Sequence, residues 1–159
     1  MEASVRIVAV IINYKTPALC LESVRSLFSE LDSEQDQIIV VDNCSNDGSV
    51  DQLRKAISLE LWPQTRIKVV ESEYNGGFSY GNNQAIRRFL ASDSSPEYIY
   101  LLNPDTVVRK GAINALVLFL ETHPTAGIVG SRLEDLDGTA QGSSFRFHTW
   151  VTELDRGFG

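Results

Sequence analysis

Short apolar runs alternate with amphipathic stretches along most of this chain. Ile7–Ile12, Ile38–Val41, Ile67–Val70 and Tyr98–Leu102 are rich in β-branched and aromatic residues, and the first two carry no polar position. Unbroken runs of this kind mark strands buried on both faces, as in parallel sheets. Between them lie helical patterns. Thr16-Pro17 reads as an N-cap and first helical residue, followed by a stripe of Val24, Leu27, Phe28 and Leu31. Gly48-Ser49 opens a second helix reaching about Leu61, and a third holds Ala85, Ile86, Phe89 and Leu90. A fourth runs from Gly111 to about Glu121 with Ile113, Leu116, Val117 and Leu120 inward. Ile128-Val129 is expected to start a fifth strand. Strand–helix alternation of this regularity predicts an α/β fold, a mostly parallel sheet with helices on both faces and right-handed crossovers.

After Gly130 the rhythm changes. Asp137-Gly138 is a tight-turn signal suited to a hairpin, and Gly142–Gly159 has no clear period. No helix is expected to close the fold there. The expectation is one domain over 1–159, either cut short or half of a larger enzyme.

Composition narrows the ligand. The 159 residues are enough for one domain with a full core. A net charge of −7 argues against nucleic acid as a partner, which needs a basic face. An anionic ligand therefore needs local help from backbone N–H groups, a metal or selected cations. Cys20 and Cys44 do not make a disulfide framework, and their spacing fits no zinc site. Reduced thiols and a cytoplasmic location are expected. Ile7–Ile12 is too short to span a bilayer and lacks the flanks of a signal peptide.

Four polar clusters follow the four strands: Asn13-Tyr14-Lys15, Asp42-Asn43-Cys44-Ser45-Asn46-Asp47, Asn75-Gly76-Gly77-Phe78 and Asn103-Pro104-Asp105. In a parallel sheet all four strand ends lie on the carboxyl edge, where open α/β sheets bind ligands. Each cluster also has a local reading, because Asp, Asn, Ser and Gly dominate turns. Asp42 would then form an Asx turn, Asp47 would cap the second helix, and the glycines would serve a turn. Asp105 stands too far before Gly111 to cap the fourth helix, so there the functional reading is favoured. A lone carboxylate at that edge suits a divalent metal, and the metal suits a diphosphate. Arg87 and Arg88 read as solvated helix-face charges, and His123 and His148 sit in no ligand-spaced group. No Gly-x-Gly-x-x-Gly follows the first strand and no Walker pattern exists.

The runs VAVIINYKT, VVDNCSNDGS, NGGFSYGNN and YLLNPDT, taken together and in this order, resemble family 2 glycosyltransferases with the GT-A fold. The Asn-Pro-Asp-Thr version looks most like bacterial rhamnosyltransferases of cell-surface polysaccharide synthesis. The resemblance implies substrate-binding roles. Asn13 and Tyr14 would line the base and ribose pocket, and Asp42 and Asn43 match the pair that contacts the base. Asn75, Gly76 and Gly77 would shape the floor beneath nucleotide and sugar, with Asn82 and Asn83 in the same block. Asp105 matches the last acid of the family's Asp-x-Asp motif and would hold Mg²⁺ or Mn²⁺ against the diphosphate. Asn103 stands at the first place and brings no charge.

The activity so implied is inverting transfer of a sugar from a nucleoside-diphosphate sugar to a saccharide or lipid-linked acceptor. A carboxylate from the family's second half would be the general base, so no catalytic base is assigned here. Glu134-Asp135 comes too soon and lies beside a turn, and Glu153 and Asp155 are weaker candidates. Nucleotide-sugar binding with little or no transfer is therefore expected of these residues. A non-catalytic nucleotide-sugar-binding module is the alternative. Peripheral association with the inner face of the cell membrane and homo-oligomerisation both stay open.

Overall fold

Strands β1 (Ile7–Asn13), β2 (Gln37–Asp42), β3 (Ile67–Glu71) and β4 (Tyr98–Leu102) form one all-parallel sheet, in the order β3-β2-β1-β4. This is a computed structural model, and it describes residues 6–91, 95–135 and 137–142. Every residue of β1 is buried, because it is central in the sheet and covered on both faces. Helices α1 (Pro17–Phe28), α2 (Ser49–Leu59), α3 (Gly77–Leu90) and α4 (Ala112–Thr122) complete the alternation.

The period-two alternation of β1 divides the core. Ile7, Ala9 and Ile11 pack with Cys20, Val24 and Leu27 of α1, Leu53 and Ile57 of α2, and Ile113 and Val117 of α4. Val8, Val10 and Ile12 face the other way, toward Ala85 and Phe89 of α3. Helices therefore cover both faces, as the pattern predicts. The order is also informative: the chain builds β1, β2 and β3 outward in one direction, then returns to place β4 on the other side of β1. That makes the β1–β4 boundary a topological switch point, where ligands bind beyond the carboxyl ends.

Several boundaries differ from the sequence reading. α1 ends at Phe28, with the Ser29 N–H bonded to the Arg25 carbonyl. Leu31 still reaches the core, from the turn beyond the helix. α2 stops at Leu59, and Leu61 lies outside it with a positive φ of 57°.

The fifth strand expected at Ile128-Val129 is absent from the described residues, and Ile128 is 92% exposed. Two β-branched residues between Gly127 and Gly130 are too short a run to hold a ladder. The hairpin signal fares better. Glu134 and Ala140 form an antiparallel bridge, and the Gly138 N–H, at φ 87°, bonds the Asp135 carbonyl.

The chain divides into two compact units, Met1–Leu118 and Phe119–Gly159. All four strands and every candidate site residue lie in the first. In the second, the hairpin is accompanied by stacking of Phe119 on His123, ring centroids 4.2 Å apart. Glu153 and Asp155 fall outside the described residues.

Candidate functional site

The last rung of the β1–β2 ladder pairs Asn13 with Asp42. Their side chains, 0% and 2% exposed, meet there. Asn13 Nδ2 donates to Asp42 Oδ1 at 2.6 Å, and Asn13 Oδ1 accepts the Thr16 N–H at 3.2 Å. Asp42 also accepts the Ser45 hydroxyl on Oδ1 at 2.6 Å and the Ser45 N–H on Oδ2 at 2.9 Å. The Ser45 hydroxyl oxygen in turn accepts the Lys15 N–H at 2.9 Å. One buried carboxylate thus ties the loop after β1 to the loop after β2. Net hydrogen bonds to charged groups contribute roughly 1.5–3 kcal/mol each, so this cluster is a rigid foundation.

A second tie runs from β2 to the start of α3. Asn43 Nδ2 donates to Asn75 Oδ1 at 2.7 Å and to the Gly77 carbonyl at 3.3 Å, while the Gly77 N–H returns to Asn75 Oδ1 at 3.0 Å. Gly77 has φ 81°, a left-handed conformation that glycine adopts without strain. Gly76 is needed for space: a Cβ there would lie 2.3 Å from the Tyr80 ring. Tyr80 itself packs on Tyr74, with centroids 4.5 Å apart.

The turn after β4 completes the rim. The Thr106 N–H bonds the Asn103 carbonyl at 3.3 Å, closing a four-residue turn with Pro104 in its favoured second place. Asp105 occupies the third place, exposed and without an ion pair to any described residue. Ile11 of β1 pairs with Leu102 of β4, so the turn begins just short of the end of β1, at the switch point.

The ten sequence-predicted site residues separate into two sets. Asn13, Asp42 and Asn43 are buried struts. Tyr14, Asn75, Gly76, Gly77, Asn103 and Asp105 are exposed along the rim. Asn83 is also exposed, but on α3 beside buried Asn82, whose Nδ2 bonds the Phe78 carbonyl at 3.0 Å. Asn82, not Asn83, faces the fold. Two acids have local duties. Asp42 folds its own loop, and Asp47, which is not the N-cap of α2 (Gly48 is), makes a turn by accepting the Ser49 N–H and hydroxyl. Those bonds hold the Asp47 carboxyl below its usual range. Asp105 has no such local duty.

Three signs mark this edge as more than a set of turns. Lys15, Cys44 and Asn46 have positive φ values of 60°, 60° and 53°. Such strain gathers at functional sites. Three buried polar atoms lack hydrogen-bond partners here: Asn43 Oδ1, Ser72 Oγ and Asn82 Oδ1. A cleft of about 210 Å³ opens between the ends of β2 and β3 and the start of α2, lined by Asp42, Cys44, Ser49, Asp51, Glu71 and Ser72 among others. Asp105 is not in its wall. Two strand spacings, about 10 Å, separate the β2 and β4 ends, so a ligand reaching both is extended.

Sequence reasoning missed Ser72 and Ser23, and it placed Ser45 in the second polar cluster without giving it a role. Ser45 gave no signal that it would meet Lys15. Ser23 did: it is polar yet follows Cys20 by three on the buried stripe of α1, where it is 1% exposed.

A cation fits Asp105 in a limited way. No group of three or more His, Cys, Asp or Glu side chains among the described residues can cage a metal. One exposed carboxylate matches a Mg²⁺-like ion that keeps its waters and takes substrate phosphates as further ligands.

The Glycosyl transferase family 2 description matches residues 8–156. The chain belongs to that family. Its fold is that of GT-A glycosyltransferases. The mannosyltransferase PcManGT from Pyrobaculum calidifontis, solved with GDP-Man and Mn²⁺, aligns with a TM-score of 0.62 at 20% identity, over 75% of this chain and 33% of that one. S. aureus TarS 1-349 with UDP-GlcNAc gives 0.58 at 21% identity, over 75% and 32%. GalNAc-T7 with UDP, GalNAc and Mn²⁺ gives 0.62 at 16%, over 79% and 22%. This family 2 chain thus spans about a third or less of the length of these neighbours. No curated protein matches it. No helix among its described residues is long and apolar enough to cross a membrane.

Proposed function

We infer that this chain supplies the donor-binding part of an inverting glycosyltransferase and holds a nucleoside-diphosphate sugar across the carboxyl edge of its sheet. The observation that carries this is Asp105, exposed and with no ion pair to a described residue, in the turn after β4, the strand that adjoins β1 on the side away from β2. The base and ribose lie toward Tyr14 and the cleft beyond Asp42, where Ser72 Oγ offers a free hydrogen bond. The diphosphate lies toward Asn103 and Asp105.

The protein's own contribution is positioning and charge. Asn13, Asp42 and Asn43 set the loops before the donor arrives, so little ordering is left for binding to do. Asp105 would hold a Mg²⁺ or Mn²⁺ ion, and Asn103 would hydrogen-bond ribose or water. When bound, that ion offsets the negative charge developing on the leaving diphosphate. The Asn-Pro-Asp-Thr sequence supports rhamnose as the donor sugar. A saccharide or lipid-linked acceptor at the inner membrane face, in polysaccharide synthesis, accords with the same resemblance.

Calorimetry with UDP and dTDP, with and without Mn²⁺, tests the reading. Binding strengthened by Mn²⁺ is expected, with no Mn²⁺ uptake in the absence of nucleotide. A folded sample whose nucleotide binding ignores Mn²⁺ counts against it. A thermal-shift panel of nucleotide sugars then identifies the donor.

A further inference from the structure

Helix α1 clasps the segment that carries Asp105. Ser23 Oγ lies 2.6 Å from the Thr106 carbonyl oxygen, 2.8 Å from that of Pro104 and 3.4 Å from that of Asn103. Ser26 Oγ accepts the Val108 N–H at 3.0 Å and donates to the Ser23 carbonyl at 2.9 Å. Just beyond the helix, the Glu30 carboxylate accepts the Gly111 N–H at 2.5 Å. Spacings of three and four place these groups along one line. They meet successive points of the 103–111 segment.

Ser23 is the informative member. A hydroxyl carries one proton, here shared between the Pro104 and Thr106 carbonyls, with that of Asn103 at the limit of reach. These are the residues on either side of Asp105. Drawing their carbonyls inward curls the turn around the helix and leaves Asp105 on its outer side, where it is exposed. The position is buried and on the apolar stripe of α1, so packing alone would favour Ala or Val there. A hydroxyl at that place has a specific use.

We propose that Ser23 is a positioning residue for Asp105: it sets the Asn103–Thr106 turn so that the carboxylate faces the donor's diphosphate and its cation. The proposal rests on the donor-site reading above. Ser23 touches neither ligand, and it acts through the turn.

Two measurements on S23A separate the proposal from that reading. Amide hydrogen exchange at Asp105, Thr106 and Val108 is expected to accelerate while that of β1 is unchanged. Mn²⁺-dependent UDP binding is expected to weaken at least about tenfold, the usual scale for losing a group that orients a metal ligand. UDP binding without metal should stay within about twofold. V24A, on the same helix and fully buried, is the stability control: it should lower the melting temperature without changing the Mn²⁺ dependence.

Unchanged exchange in S23A, or Mn²⁺-dependent binding equal to that of the unmutated protein while D105A loses it, overturns the role of Ser23. Faster exchange in S23A, in a protein whose UDP binding never responds to Mn²⁺, instead overturns the donor-site reading. It leaves Ser23 as a loop clasp, which overturns the positioning role as well.

Discussion

Asn13 and Asp42 face each other on the final rung of the β1–β2 ladder, with Nδ2 to Oδ1 at 2.6 Å and both side chains buried. The pair converts two separate strand ends into one rigid edge. Asp42 accepts three hydrogen bonds in all. D42N replaces one acceptor with a donor amid donors, so at least one buried group loses its partner. The expected loss is about 1–3 kcal/mol for each group left unsatisfied, measured by urea unfolding. A D42N protein of unmutated stability contradicts the strut role.

Asp105 should behave in the opposite way. Exposed and without a described ion pair, it has little to contribute to folding. D105A is expected to change stability by less than about 0.5 kcal/mol while abolishing the Mn²⁺ dependence of UDP binding. Calorimetry alongside thermal melting checks both halves. A large fall in melting temperature would show that the carboxylate has a structural partner.

Asp36 gives stability a pH dependence. Its side chain is buried and accepts the Ile7 N–H at 2.9 Å. Burial raises its pKa above the ordinary 3.8, against the lowering effects of that bond, the Ser33 backbone and nearby Arg66 and Arg6. The native state therefore binds the proton more tightly than the unfolded chain does. This contribution is fully present below the unfolded value and is lost as pH rises through the folded one. D36N keeps an oxygen for Ile7 and removes the charge. The stability difference, D36N minus unmutated, should rise with pH from just below 3.8 upward and then level off. Denaturant melts at stepped pH report it, and a difference that falls with pH would reverse the assignment.

The two thiols should react differently. Burial, reinforced by the Asp42 charge, pushes Cys20 up to about 12, so it stays protonated. Cys44 is partly exposed in the rim loop. Only the thiolate is reactive. A thiol reagent at neutral pH should therefore modify one cysteine in the native protein and the second only on unfolding. Peptide mapping should place the native label on Cys44.

Gly76 and Gly77 are adjacent but differ in what they require. G77A forces an L residue to φ 81°, at roughly 1–2 kcal/mol, with no clash within 4 Å. G76A meets the Tyr80 ring instead and should displace it from Tyr74. Tyrosine near-ultraviolet circular dichroism should change for G76A and hold for G77A.

Much of this protein was legible from its pattern. The buried runs, the helix stripes and the parallel sheet followed from period and composition, because burial on both faces leaves no place for polar alternation. Ile128-Val129 misled, since strand propensity over two residues cannot hold a ladder without a paired neighbour. Asn82 and Asn83 show the limit at the site: neighbouring residues of one type point about 100° apart on a helix, and the sequence block did not say which faces inward.

Residue order alone determined that four polar loops share the sheet's carboxyl edge, because parallel strands all end on one side. Tertiary structure decided what each polar group does there. Asp42 and Asp105 are the same residue type at comparable strand ends. One is buried and saturated by Asn13 and Ser45, and the other is held outward on a turn clasped by Ser23. Ser45 is a local partner of Asp42, but the Asn13–Asp42 and Ser23–Thr106 contacts span 29 and 83 residues of chain, a distance that no local pattern reports.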